Sequence, residues 1–394
     1  MAGPPKIHAL ESLVLAALFA VGICLPVAWQ FTVGERDFTS VEKRQPAPFP
    51  AFSGNWKLLV KFFPQELDNY FSDHFGLRRL LLKANGFISL HWFHVSNWVI
   101  VGNNDWLFYK IYPPLFYHTL DAPKFAQWKS YIGGRQRWLA ARGVKYLFVI
   151  TPEKACIYPE FLPLSAGRRP AELASDQLVR YIRENVPGVN IIYLRESLLA
   201  AKKLEHEPLY YKQDTHWNSL GAYYGYEEII RNLANWYPVL RPKPRSGYSM
   251  GLAPDHMRDL AAQAGISDSP ALSGPVLQPL TPSRTETYRL PPLGFTGLYF
   301  ATQAKNPPNL PRAVMLRDSF TIALAPYLSE HFSRITYFWP SLDLHIKLDQ
   351  EKIMAATVVK DKADVFIEEH VERFLIDPPN DKIVFGGGNE LAPP

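Results

Sequence analysis

A chain of 394 residues with 47% hydrophobic and 20% charged side chains has ample material for a core, and its length allows one large domain or two modest ones. Its 42 basic and 37 acidic residues, net +5, are spread without a basic block, so nucleic acid is not indicated as a partner. The two cysteines, Cys24 inside an apolar run and Cys156 far from it, exclude a disulfide framework and a cysteine-based zinc site.

In chain order, the first feature is an uncharged stretch over residues 12–34. It matches the roughly 20 helical residues needed to cross the ~30 Å hydrocarbon layer. Lys6 precedes it and Glu35, Arg36 and Asp37 follow, so the positive-inside rule puts residues 1–34 down as a cytoplasmic tip and single transmembrane anchor. A cleaved signal peptide is the competing reading. The run exceeds the usual 7–15 apolar residues of a signal and lacks a good small-x-small cleavage site. Either way the rest of the chain is exported. Residues 35–53, with Gln45-Pro-Ala-Pro-Phe-Pro50, read as an extended linker, because proline fixes φ and removes backbone donors.

Beyond the linker, 63–93 is expected to be one amphipathic helix. Trp98-Val-Ile-Val101, the turn Gly102-Asn-Asn-Asp105 and Trp106-Leu-Phe-Tyr109 are expected to form a hairpin. Helices over about 123–142 and 172–185 then alternate with apolar strands at 146–150 and 190–194, the signature of a parallel sheet covered on both faces. After a helix over 220–236, residues 238–311 are rich in Pro, Gly and Ser and read as a large insertion with one short helix near 259–263. The alternation resumes with strands at 313–316, 334–338 and 363–367 and helices at about 320–331 and 350–360. Residues 54–376 are thus expected to form one domain, with a disordered tail over 377–394.

Ser319 follows a strand directly and stands where a helix starts, in Leu316-Arg-Asp-Ser-Phe320. Such a turn presents a hydroxyl at the carboxyl end of a sheet, beside helix N–H groups able to stabilise an oxyanion. Simple helix capping by Asp318 or Ser319 is the alternative. Asp214 and His216 stand two apart in Asp214-Thr-His-Trp-Asn218, so a short turn can let the carboxylate hold the imidazole in one tautomer. A surface histidine near a cap is the alternative here. His91 and His94 have helical i, i+3 spacing but no third ligand nearby, and read as a packing face rather than a metal site. Trp106, Tyr109 and Trp217 can stack on sugars or be buried in a core.

Asp214-Thr-His-Trp-Asn218 with Gly221 and Ala222 resembles the signature of the AlgX/AlgJ-type alginate O-acetyltransferase family, a permuted branch of the SGNH hydrolases. Other segments fall in that family's order: Tyr70-Phe-Ser-Asp-His74 with Arg78, Val101 to Tyr109, Arg142-Gly143 through Lys154, Ile157-Tyr-Pro159, Arg317-Asp-Ser-Phe320 and Glu372-Arg373. The resemblance implies a flavodoxin-like three-layer α/β sandwich with a mainly parallel sheet. It also implies Ser319 as nucleophile, His216 as base and Asp214 as orienting acid, with Asp and His preceding Ser. Arg317 stands where the usual Gly-Asp-Ser has glycine, which bears on access and the oxyanion hole. Lys154, Trp217 and Arg317 are candidate substrate-binding residues, with a structural ion pair as the alternative role of Lys154.

By resemblance the acceptor is an exported polysaccharide, the donor partner is a membrane-bound O-acyltransferase, and the domain faces the periplasm from the inner membrane. Neither a metal nor a soluble cofactor is required. Two rivals stay open: a carbohydrate acetylesterase using the same triad, and a non-catalytic polysaccharide-assembly subunit that keeps the fold.

Overall fold

The computed structural model describes residues 6–32, 47–50, 56–75, 77–93, 96, 98–110, 120–166, 170, 172–255, 258–266, 270–290, 299–305, 309–339 and 344–379. Most of the expected linker, the expected tail beyond residue 379 and His94 lie outside them. The chain divides into two compact units: Met1–Asn97 with Ala261–Ser269, and Trp98–Leu260 with Pro270–Pro394. The second of these units, from Trp98 on, holds the α/β elements.

In the first unit, α1 (Lys6–Thr32) covers the apolar run. Every side chain described on it, over residues 11–25 and at 28 and 29, is exposed. Among the described residues no helix is long and apolar enough to cross a membrane. The single helix expected over 63–93 is two, α2 (Trp56–Asp73) and α3 (Arg78–Phe93). The break has a local cause. The backbone N–H and ring Nδ1 of His74 both bond the Tyr70 carbonyl (2.9 Å each), and Arg78 Nη1 donates to the Ser72 carbonyl (2.9 Å), so side chains satisfy the carbonyls of the last turn.

The second unit opens with the expected hairpin, β1 (Val99–Val101) antiparallel to β2 (Leu107–Tyr109). Asn104 and Asp105 take positive φ in the turn, which their short polar side chains tolerate. At Gly102 a Cβ would stand 2.4 Å from the Phe161 carbonyl, so only glycine fits.

There follow α4 (Ala122–Ala140), β3 (Lys145–Thr151), the single-turn α5 (Lys154–Ile157), α6 (Ala174–Asn185), β4 (Asn190–Tyr193), α7 (Arg195–Leu204) and α8 (Ser219–Ala234). Asp121 caps α4 by accepting from Lys124 N–H (2.9 Å), so the helix starts at Ala122, one residue before the expected start. Next come β5 (Tyr248–Pro254), α9 (Asp259–Gln263), β6 (Ser273–Pro279), β7 (Thr285–Arg289), β8 (Phe300–Ala304), β9 (Arg312–Leu316), α10 (Thr321–Leu328), β10 (Arg334–Phe338), α11 (Leu344–Lys360) and β11 (Val365–Val371).

The main sheet has seven strands in the order β4-β3-β11-β9-β10-β8-β7. The first five are parallel, and β8 and β7 extend the sheet antiparallel. Residues 238–311 are thus not wholly an insertion between sheet elements. They hold the antiparallel pair β5–β6 and two strands of the sheet itself. Alternation along β3 sends Leu147 and Val149 into one apolar cluster with residues of α7, α8 and α10. Tyr146, Phe148 and Ile150 enter another with residues of α4, α6 and α11. Two cores on opposite faces make three layers.

Candidate active site

The site assembles at the carboxyl end of β9. Arg317 and Asp318 leave the strand, Ser319 and Phe320 turn, and α10 begins at Thr321. Neither Asp318 nor Ser319 is the N-cap of α10, which is Phe320 without a side-chain cap bond; Asp318 instead braces the turn before the helix. Its Oδ1 accepts from Phe320 N–H (2.8 Å) and its Oδ2 from Val371 N–H (2.7 Å), tying the turn to β11. The Ser319 hydroxyl is left for His216 Nε2, at 2.6 Å. His216 Nδ1 meets Asp214 Oδ1 at 2.6 Å, and the same oxygen accepts the His216 backbone N–H at 2.9 Å. The two-residue spacing therefore works as a side-chain-to-backbone turn that sets the imidazole over its carboxylate.

Each member of Asp214-Thr-His-Trp-Asn218 has a partner. Asp214 Oδ2 accepts from Asp259 N–H (2.8 Å), while Asp259 accepts from Thr215 N–H (2.8 Å) and the Thr215 hydroxyl (2.7 Å). Trp217 donates its indole N–H to the Phe320 carbonyl (2.9 Å), bolting the histidine loop to the serine turn. Asn218 caps α8 by accepting from Leu220 and Gly221 N–H (2.9 and 3.1 Å). A Cβ at Gly221 would lie 2.2 Å from the Leu209 carbonyl, so the helix start closes on this loop only with glycine there.

Burial alone would raise the Asp214 carboxyl. The bonds from His216 and Asp259 outweigh it and hold the group below the usual carboxylate range. An ionised Asp214 fixes a proton on His216 Nδ1 and leaves Nε2 to accept from the serine hydroxyl. Among the described residues, only the Asp214, His216 and Asp259 ligand atoms lie close enough, within 4.8 Å of one another, to meet on a metal ion. Each of these groups already carries hydrogen bonds within the constellation.

The other candidate residues turn out differently. Trp217 is 1% exposed and Trp106 2%, so neither offers a face to a sugar. Among the described residues Lys154 makes no direct ion pair: its ammonium donates to the carbonyls of Tyr211, Lys212 and Asp214. Arg317 turns away from the serine, with its guanidinium 4.6 Å from the Trp339 ring and 5.5 Å from that of Phe300, and Nη1 on the Asp318 carbonyl (3.1 Å).

Sequence reasoning missed three neighbours. Asp259 braces Asp214 and Thr215. Glu369 accepts from the Thr151 and Thr321 hydroxyls (2.7 and 2.9 Å) and from Asp318 N–H (3.2 Å) beneath the turn. Glu153 holds the Arg373 guanidinium through Nε and Nη2, with that cation between the rings of Tyr109 (5.2 Å) and Phe320 (5.9 Å). Only Arg373 had a signal, its place in the Glu372-Arg373 pair. The Phe320 N–H, one of the backbone donors at the start of the helix, is taken by Asp318. Among the described residues the Ser319 N–H has no hydrogen-bond partner and is the donor that the turn leaves free.

Residues 99–293 match the family described as the SGNH hydrolase-like domain of the acetyltransferase AlgX. The sequence is 29% identical over 182 residues to the probable alginate O-acetylase AlgJ of Pseudomonas aeruginosa, over 44% of this chain and 43% of that protein. The chain thus spans under half the length of this curated relative. Bacillus cereus PatB1, solved with a sulfonyl adduct, superposes at TM-score 0.54 and 18% identity over 73% of this chain and 99% of its own. A DHHW family protein of Eubacterium siraeum does so at 0.50 and 16%, over 67% and 89%. The family match and these structural likenesses together carry the fold: an SGNH hydrolase-like α/β domain. Within that class, the chain is similar to the acetyltransferase AlgX over residues 99–293 and to the probable alginate O-acetylase AlgJ over 182 residues.

Proposed function

We propose that the protein is a polysaccharide O-acetyltransferase in which Ser319 carries the acetyl group. The hydrogen-bonded chain from Asp214 through His216 to Ser319 is the observation that supports this most directly. His216 Nε2 takes the hydroxyl proton as Ser319 Oγ attacks the donor's acetyl carbonyl. The tetrahedral oxyanion faces the Ser319 N–H, and the proton passes to the leaving group as it departs. In the second half His216 deprotonates a sugar hydroxyl, which attacks the acetyl-serine and regenerates the enzyme. Relatives concerned with alginate point to an exported polysaccharide as acceptor, and a membrane-bound O-acyltransferase is the proposed source of acetyl.

We further propose that α1 anchors the chain in the inner membrane with the α/β unit in the periplasm. The uncharged run over 12–34 supports this, as does exposed Leu13, Leu15, Leu18, Phe19 and Val21 on a helix without a polar face there, a surface suited to lipid rather than water.

The test is mass spectrometry of the purified protein after a small activated acetyl ester, followed by addition of candidate polysaccharides. An adduct on Ser319 that moves to a sugar hydroxyl is expected, and it should be absent in Ser319→Ala. Release to water alone would make the protein an esterase, and an adduct that survives Ser319→Ala would overturn the assignment. A reporter active only outside the cytoplasm, fused after Pro394, should be active in membrane-bound protein; cytoplasmic activity would refute the orientation.

A further inference from the structure

Lys154 is 2% exposed and lies one turn beyond β3, yet among the described residues no carboxylate touches its ammonium. Three main-chain carbonyls do: Tyr211 and Lys212 at 3.0 Å and Asp214 at 2.6 Å. All three belong to the turn that delivers the Asp214 carboxylate to His216. Carbonyl oxygens converging on one point repel each other unless a cation sits among them. An ammonium has three N–H donors and no acceptor, so its protons and these oxygens match one for one. The hairpin closes the other side. The Trp106 and Phe108 rings lie 5.5 and 5.3 Å from Nζ, and Leu107 N–H bonds the Lys212 carbonyl at 2.9 Å. Three segments far apart in sequence thus meet on one charge.

We propose that Lys154 is a positioning residue for the triad, its ammonium fixing the 211–214 turn so that Asp214 stays under His216. The inference rests on the triad reading above. The lock is sensitive to protonation. Burial pushes the amine down to about 7, against the carboxylates of Asp214, Asp259, Glu153 and Asp255, which favour the charged form. A neutral amine has two donors for three carbonyls and turns a lone pair toward an oxygen, so the turn loosens as pH rises through that value.

Full-length Lys154→Met and Lys154→Arg proteins, shown folded by circular dichroism, are compared with wild type and Ser319→Ala. Two readings are taken: the rate of Ser319 acetylation by an activated ester, and the downfield proton resonance of the His216–Asp214 bond. Lys154→Met should lose about a hundredfold in the maximal rate, the scale expected when a reacting group is displaced by about an ångström. Its KM should change little and its resonance should vanish. Lys154→Arg, whose planar fork cannot meet three converging oxygens, should fall between. If Lys154→Met does not fold, Lys154→Arg and the fading of the wild-type resonance as pH rises through about 7 decide the matter.

A folded Lys154→Met or Lys154→Arg protein with the wild-type rate and resonance overturns the inference. So does a wild-type resonance unchanged from pH 6 to 9. In each of these cases the triad reading stands as long as Ser319→Ala forms no adduct. An adduct in Ser319→Ala would instead sink the triad reading itself.

Discussion

Glu368 and Glu369 are consecutive on β11, both fully buried, and they face opposite layers in opposite states. Burial would raise Glu368. The Arg135 guanidinium, His370 and Tyr146 outweigh it and hold the carboxyl below the usual range, so it is ionised. Glu369 bonds hydroxyls and an N–H and, among the described residues, no cation, and burial together with the Asp318 carboxylate pushes it well above that range. The partner, not the depth, decides the charge. One layer is knitted by a buried ion network of Arg135, Glu351 and Glu368. The other keeps a proton under the nucleophile turn, where a second carboxylate charge would repel Asp318. The comparison separates a layer that sets stability from a layer that sets chemistry.

The largest effect should fall on the site layer and leave the other untouched. Asp214→Asn is expected to keep the fold while slowing Ser319 acetylation on the order of ten-thousandfold. Pre-steady-state kinetics measure this, and a variant that loses rate only in proportion to unfolded protein would erase the distinction. On the opposite face, Arg135→Met strips Glu368 of its cation and should cost about 3–5 kcal/mol, read from urea midpoints. Its acetylation rate per folded molecule should equal wild type.

The neighbours themselves give a sharper contrast, in sign. Glu368 is depressed in the fold, so its contribution is present above the ordinary glutamate range and lost as pH falls below it. Glu369 is raised, so the unfolded chain releases its proton first and stability falls as pH climbs above the ordinary range. Glu368→Gln should flatten the acid side of the stability profile and Glu369→Gln the neutral side. Urea midpoints between pH 3 and 8 would show both, and slopes of the same sign would contradict the assigned states. The smallest effect is Trp217→Phe, which keeps the ring in the core but loses the N–H to the Phe320 carbonyl. It should cost about 1 kcal/mol in thermal or urea unfolding.

Much of this architecture was readable in the sequence, and the gaps have physical causes. β3, β9 and β10 are short apolar runs between helices and were placed within a residue or two. Asp214, His216 and Ser319 stood out by spacing and by the strand-to-helix position. The sequence pattern ends β11 at 367 rather than Val371 because Glu368-Glu-His370 looks solvated, whereas Glu368 and Glu369 bond side chains of distant segments and His370 bonds Glu368. β7, with Thr285-Glu-Thr-Tyr-Arg289, has no apolar face to advertise it, and β8 is built on small residues. α7 was hidden because Leu194 was counted into the preceding strand. The sequence offers Lys154 as a substrate-binding residue or an ion-pair partner and not as a ligand of carbonyls, since bonds to main-chain carbonyls leave no mark on the sequence of the acceptor.

The position of β11 has a consequence for how activity is gained. It is the last strand of the sheet in chain order, yet it lies between β3 and β9 and passes its Val371 N–H to Asp318. The two halves of the sheet cannot be joined until that segment inserts between them, and such non-local pairing is slow because loop closure precedes its reward. A newly made chain therefore stays inert until its final strand is threaded, so that loss of residues 365–371 should abolish function altogether rather than trim an edge.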